Sequence, residues 1–263
     1  MTGKVALITG GGSGFGREVA RQLVARGDLV ILLDIDPDGG QAAADEVGGH
    51  FLRCDVSSFD DVMRTTAAAE EIHGGLDLVF LNAGIASSCG VTDDFDLLAY
   101  RRAMGINLDG VVFGVHAAVP ALRRRGGGAI VCTTSMAGLT GTPFDPIYGA
   151  NKHAVVGLVR ALGPALAPQN ITVNAFCPGF AETKIIGPIR DMLSQSGVPI
   201  IPVAEAGAAV LQAFDSGASG EAWLLQAGHA ATPYRFRGIP GPLNPDGTKA
   251  QPADPAGIPT PVA

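Results

Sequence analysis

Tyr148 and Lys152 stand four residues apart in SMAGLTGTPFDPIYGANK, residues 135–152, and Ser135 opens the same segment. Residues at i and i+4 on a helix share a face, so a helix starting near Ile147 points the phenol and the ammonium the same way. Such a pair suits proton transfer. A free phenol titrates near pH ~10, so Tyr148 can act as a base only if something favours the phenolate, and the charge on Lys152 would do so. In the working complex, where further positive charge joins that of Lys152, the expected effect is a pKa brought toward working pH, where acid/base transfer is most effective.

A second chemical signal lies near the N-terminus, where TGGGSGFGREVA follows an apolar run. Its glycines fit T-G-x-x-x-G-x-G at Gly10, Gly14 and Gly16, with Ser13 and Phe15 between them. Glycines at these positions permit a tight turn, let backbone approach a pyrophosphate and allow close helix packing, while a helix N-terminus supplies amide donors. A flexible glycine-rich turn would look the same locally. The position between a strand and a helix favours a dinucleotide cofactor. Asp34 ends the second apolar run at nearly the offset where an acid binds the adenosine ribose, accepting from its hydroxyls and repelling a 2′-phosphate. No Arg or Lys stands in GGSGF or directly after Asp34 in DIDPDGG, so NAD is expected rather than NADP. Asp36 is the competing ribose ligand.

These residues must be held by elements, and the chain supplies them in alternation. The runs KVALIT, DLVILLD, HFLRCD, LDLVFLN, GAIVCTT, ITVNAFC and EAWLLQ read as seven strands, nearly continuous in apolar residues, as in a parallel sheet covered on both faces. Between them lie helical patterns such as FGREVARQLVARG and FDDVMRTTAAAEEIHG. The expected fold is a doubly wound α/β domain, residues 1–228, with a seven-stranded parallel sheet of Rossmann type. With 263 residues, 47% of them apolar, and a mean hydropathy of +0.28, the chain can bury a sizeable core. No apolar stretch approaches the ~18 residues of a membrane span, and the N-terminus does not read as a signal peptide, so a cytoplasmic protein is expected. A net charge of −7 argues against nucleic acid as a partner. Cys54, Cys89, Cys132 and Cys177 show no metal-ligand spacing and read as buried free thiols. His50, His73, His116, His153 and His229 form no close pair in sequence, and no metal is expected.

In order along the chain come TGGGSGFG, CDV with Asp55 and Val56, NAG at Asn82, Ala83 and Gly84, Asn107, Ser135, YGANK, and PG at Pro178 and Gly179 followed by Thr183. Together they resemble the short-chain dehydrogenase/reductase family over about residues 3 to 228. The resemblance implies hydride transfer between NAD(H) and an alcohol or ketone. It implies cofactor contact by Asp55 and Val56 at the adenine, by Asn82, Ala83 and Gly84 beside the adenosine half, and by Pro178, Gly179 and Thr183 at the nicotinamide end. Asp55 could instead simply end a strand, and Asn82 could tie neighbouring strands, a reading compatible with cofactor contact. Tyr148 would be the general acid/base and Ser135 would hydrogen-bond the substrate oxygen. Lys152 would hold the nicotinamide ribose, and Asn107 would hold a water linking Lys152 to solvent. A non-catalytic NAD sensor or a structural oligomer would need the glycines and Asp34 but not Ser135, Tyr148 and Lys152. Sugar-nucleotide chemistry on a related fold usually needs a longer C-terminal domain.

Ser87 to Cys89, Met136, Ala137 and Phe144 are the candidate substrate walls, and residues 180–200 read as a mobile loop over the site. That segment is mostly apolar with only Lys184 and Arg190 as cations, so a neutral, largely apolar secondary alcohol or ketone is expected. Helices over about Arg101–Arg125 and Ile147–Ala167, the second kinked by Pro164, carry more apolar residues than one face needs, which points to a homodimer or homotetramer. From 229 the chain becomes a Pro/Gly-rich tail. Tyr234, Phe236 and Ile239 predict that residues 229–243 dock in an ordered way, with a neighbouring subunit's substrate site as one surface for them, whereas composition beyond about Asn244 predicts disorder.

Overall fold

In a computed structural model of the protein, residues 3–238 and 240–249 are described. Seven strands, β1 (Val5–Thr9), β2 (Leu29–Asp34), β3 (His50–Arg53), β4 (Leu78–Leu81), β5 (Gly128–Thr133), β6 (Ile171–Pro178) and β7 (Ala222–Leu225), are all parallel. Their order is β3-β2-β1-β4-β5-β6-β7, and an eighth strand, β8 (Thr232–Pro233), joins β7 antiparallel. The sheet therefore has one strand more than expected. Two residues, one of them proline, carry no alternation from which a strand could be read.

Side chains along a strand alternate between faces, and each face here meets helices. Val5 and Leu7 enter a core with α3 (Phe59–His73), α5 (Gly110–Arg125) and α6 (Pro146–Leu166). Ala6 and Ile8 enter the opposite core with α1 (Gly14–Ala25), α2 (Pro37–Val47) and α8 (Val203–Asp215). All four cysteines are buried and unpaired. His50 and His73, distant in sequence, meet edge-on with ring centroids 5.0 Å apart, and burial followed by the His50 charge holds His73 below the usual imidazole range.

Two segments depart from expectation. The helix expected over Arg101–Arg125 starts earlier, as α4 (Leu97–Met104), and passes through a π-helical turn at Gly105–Asp109 before α5. By length and composition Leu97–Arg125 could cross a membrane, but 56% of its most apolar stretch is buried within the fold, as in a core helix. Residues 180–200 are not an open loop. A 3-10 turn (Lys184–Ile189) and α7 (Arg190–Gln195) occupy the segment, with Ile186 and Leu193 buried and an Ala181–Ile201 bridge closing its base. The early tail makes contacts with its own chain: Tyr234 N–H donates to the Ala222 carbonyl at 2.7 Å, and the Phe236 ring centroid lies 4.0 Å from the Arg160 guanidinium. Residues 243–249 form a closed turn bridged Leu243 to Lys249, while Ile239 and residues 250–263 lie outside the described residues. α6 runs through Pro164 to Leu166 and passes into a 3-10 turn at Ala167–Gln169.

Candidate active site

β1, β4, β5 and β6 are neighbours in the sheet, so their C-terminal ends, where ligands bind in doubly wound folds, lie side by side. β1 leaves the sheet through Gly10 (φ +63°), and Gly14 (φ +52°) opens α1; both are left-handed conformations that favour glycine. A Cβ on Gly16 would stand 2.2 Å from the Gly10 carbonyl oxygen, so only glycine lets the helix approach the loop. Ser13, at the N-cap of α1, makes no side-chain cap bond, and Thr183 faces Gly14 at 3.5 Å from a hypothetical Cβ. This cradle has the backbone clearance and amide donors that a dinucleotide pyrophosphate needs.

Asp34 closes on the loop, accepting from Gly12 N–H at 2.9 Å and from Asp36 N–H at 3.0 Å. Asp36 caps α2 with one oxygen, which accepts from the Asp38 and Gly39 amides, each at 3.2 Å. A cation that sequence offset does not flag is Arg53, in register with Asp34 on the neighbouring strand. Asp55 accepts from the Ser57 amide and hydroxyl at 3.0 and 2.6 Å, and Val56 is buried against Gly110.

Asn82 ties three strands together. Its amide donates to Thr9 and Gly10 carbonyls at 3.1 and 3.2 Å, and its carbonyl accepts from the Thr133 hydroxyl at 3.0 Å. Ala83 N–H donates to the Thr9 hydroxyl at 3.1 Å. Gly84 borders the deeper cluster, with Asn107 Oδ1 and Lys152 Nζ 3.3 and 3.4 Å from where its Cβ would be.

Asp145 caps α6 by accepting from Tyr148 N–H at 3.0 Å, and this helix places Tyr148 and Lys152 on one face, with Nζ 5.4 Å from the phenol ring centroid. Lys152 is 2% exposed and donates to the Thr133 carbonyl at 3.1 Å; burial brings its ammonium down to about 8. The buried Cys132 and Cys177 thiols beside it are pushed up to about 12, again by burial. Tyr148 is also pushed up to about 12, first by burial, with the Ser135 hydrogen bond opposing and the Asp145 charge adding. In the chain alone burial therefore raises the phenol, whereas the lowering expected from the sequence is that of the oxidised cofactor complex. Desolvation disfavours the phenolate, and burial is not visible in an i, i+4 spacing. Ser135 heads the turn Met136–Gly138 and accepts from Ala137 N–H at 3.1 Å.

Asn107 sits fully buried in the π turn, exchanging two 2.9 Å hydrogen bonds with the Ile85 backbone. One N–H and one acceptor lone pair of its amide stay unused by these bonds. Pro178 ends β6, and the Gly179 amide donates to Leu225 carbonyl at 2.9 Å. Around the substrate side, Ser87, Cys89 and Ala137 are buried, whereas Phe144 is 75% exposed and so forms a rim rather than a wall. Lys184 is exposed and Arg190 is paired with Glu182 at 3.3 Å. Gln226 was not legible as a site residue, because it simply follows an apolar strand. Its amide donates to the Met136 sulfur, and its carbonyl lies 2.4 Å from a hypothetical Gly179 Cβ. Among the described residues no group of three or more His, Cys, Asp or Glu side chains gathers.

Residues 4–194 match the short chain dehydrogenase family. Short-chain dehydrogenase reductase 4 of Arabidopsis thaliana is 39% identical over 182 residues, 68% of this chain and 61% of that protein. Cyclohexanol dehydrogenase of Acinetobacter sp. (strain SE19) is 36% identical over 72% of this chain and 77% of its own length. Among solved structures, levodione reductase superposes with a TM-score of 0.80 at 28% identity, covering 86% of this chain and 96% of that one. A variant of actinorhodin polyketide ketoreductase with NADPH has the same TM-score at 30% identity, covering 86% and 97%. On the match spanning residues 4–194, in a chain whose sheet order and strand-end cluster are those just described, the protein is a member of the short chain dehydrogenase family.

Proposed function

We propose that the protein is an NAD-dependent oxidoreductase interconverting a neutral, mostly apolar secondary alcohol and its ketone. The observation that carries this reading is the juxtaposition of Tyr148, Lys152 and Ser135 at the mouth of the glycine cradle. A bound nicotinamide supplies the hydride acceptor or donor. In the oxidative direction Ser135 holds the substrate hydroxyl and Tyr148 accepts its proton; in the reductive direction Tyr148 returns it to the ketone oxygen. Lys152 holds the nicotinamide ribose and favours the phenolate, while the Thr133 carbonyl accepts from its ammonium and keeps it in place. Gly10, Ser13, Gly14, Phe15 and Gly16 cradle the pyrophosphate, Asp34 takes the adenosine ribose, and Asp55 and Val56 border the adenine. Asn82, Ala83 and Gly84 lie along the adenosine half, and Pro178, Gly179 and Thr183 meet the nicotinamide.

NAD is favoured by the Asp34 carboxylate at the loop, each of whose oxygens accepts one amide and keeps a lone pair for a ribose hydroxyl. The substrate class draws support from the sparse cations near the site and from relatives named for cyclohexanol and chlorinated cyclohexadiene-diol oxidation. We assign catalysis to residues 1–228, with 229–263 as an appended tail, in a cytoplasmic homodimer or homotetramer. NADH formation with a panel of secondary alcohols, hydroxy acids included, tests the reading. Turnover of alcohols with NAD is expected; a clear preference for a hydroxy acid or for NADP overturns the corresponding part.

A further inference from the structure

The segment Ile85–Cys89, which contains the candidate substrate walls Ser87–Cys89, is tied down at Ile85 and at Ser87. Asn107 holds Ile85 from the π turn. At the other end Ser87, 3% exposed, donates its N–H to Asp145 Oδ2 at 3.1 Å and its hydroxyl to Asp145 Oδ1. The same Oδ1 accepts from Tyr148 N–H at 3.0 Å. One carboxylate thus receives three donors, two from the wall and one from the turn bearing the phenol. The next residue, Ser88, has φ +50°, one of only two non-glycine residues at positive φ among those described, so the wall is bent locally where it is fastened. An N-cap alone needs only the helix amide. The two bonds to Ser87, 58 positions away, exceed that requirement.

We propose that Asp145 is a positioning residue whose carboxylate locks the substrate wall Ile85–Cys89 to the helix turn carrying Tyr148, so that substrate fit and the stance of the phenol are set together. This rests on the dehydrogenase reading of the site. The charged or titratable groups facing Tyr148 are Asp145 at the head of its helix and Lys152 one turn on; Ser135 faces it from the turn after β5, and Cys132 and Cys177 face Lys152 from β5 and β6.

Asp145→Asn keeps a cap acceptor but turns one oxygen into a donor facing Ser87 N–H and removes the charge. Hydrogen exchange should accelerate at the Ser87 amide. KM for the best alcohol should rise about tenfold, the loss of one hydrogen bond to a charged group. The alkaline rise of kcat/KM in oxidation should move to lower pH, because the removed anion had opposed phenolate formation. Unchanged Ser87 exchange overturns the lock, and faster exchange with unmoved KM and pH profile overturns the positioning role. If Asp145→Asn does not fold, Ser87→Ala, which leaves the cap intact, should raise KM several-fold without moving the pH profile; an unchanged KM overturns the proposal. Should the parent protein turn over no alcohol, the dehydrogenase reading fails, while the exchange measurement still decides the lock.

Discussion

Burial moves the two proton-carrying groups of the cluster toward neutrality from opposite sides, the Lys152 ammonium down to about 8 and the Tyr148 phenol up to about 12. Each shift has a consequence for stability. Lys152 titrates near 10.5 when unfolded and about 8 when folded, so stability from this group is full above 10.5 and declines as pH falls through that window. Lys152→Met should therefore abolish turnover yet flatten stability between pH 8 and 10.5, measured by urea unfolding at several pH values; an unchanged slope contradicts the buried-charge account. Tyr148→Phe should lower kcat by about a thousandfold, the scale of general acid/base catalysis, while NADH binding by fluorescence stays nearly intact. Substantial residual turnover would move proton transfer to another group. Asp34→Ala should weaken NAD more than NADP in initial-rate measurements, since an attraction and a repulsion are lost together. The residue types of this cluster were legible from spacing, but the direction of the Tyr148 shift was not, because it depends on how much water the fold removes.

At the scale of elements, the seven parallel strands were readable because each is a nearly unbroken apolar run bounded by turn residues. The capping acids Asp36, Asp96 and Asp145 stand where helices begin, and each accepts amides of its first turn. The π turn at Gly105–Asp109 was not readable, since one extra residue per turn leaves no mark in so apolar a stretch. Nor was the Asp145–Ser87 tie, whose partners are far apart in sequence. The loop-to-helix junction is more exacting than a motif match implies. Gly16→Ala would place a methyl 2.2 Å from the Gly10 carbonyl, so calorimetry should show a lowered Tm and titration a loss of NADH affinity of at least about tenfold. A variant with parental Tm and affinity would mean that the loop yields without resistance.

For the whole molecule, the assembly proposed here should scatter light as a dimer or tetramer at micromolar concentration, and a strictly monomeric protein counts against it. The sheet's last strand has a further consequence. β7 is an apolar AWLL strand whose outer edge would be a ready template for another chain, and β8 covers it with Thr232 opposite Leu224 and Pro233 opposite Trp223. Proline offers no N–H to the next strand, so the sheet ends in a residue that refuses extension. The tail then acts as a guard against strand addition and fibril-like growth, quite apart from any part in catalysis. A chain ending at Gly228 should aggregate faster on mild heating than the full-length protein, and the single tryptophan, Trp223, reports the uncovering directly through its emission.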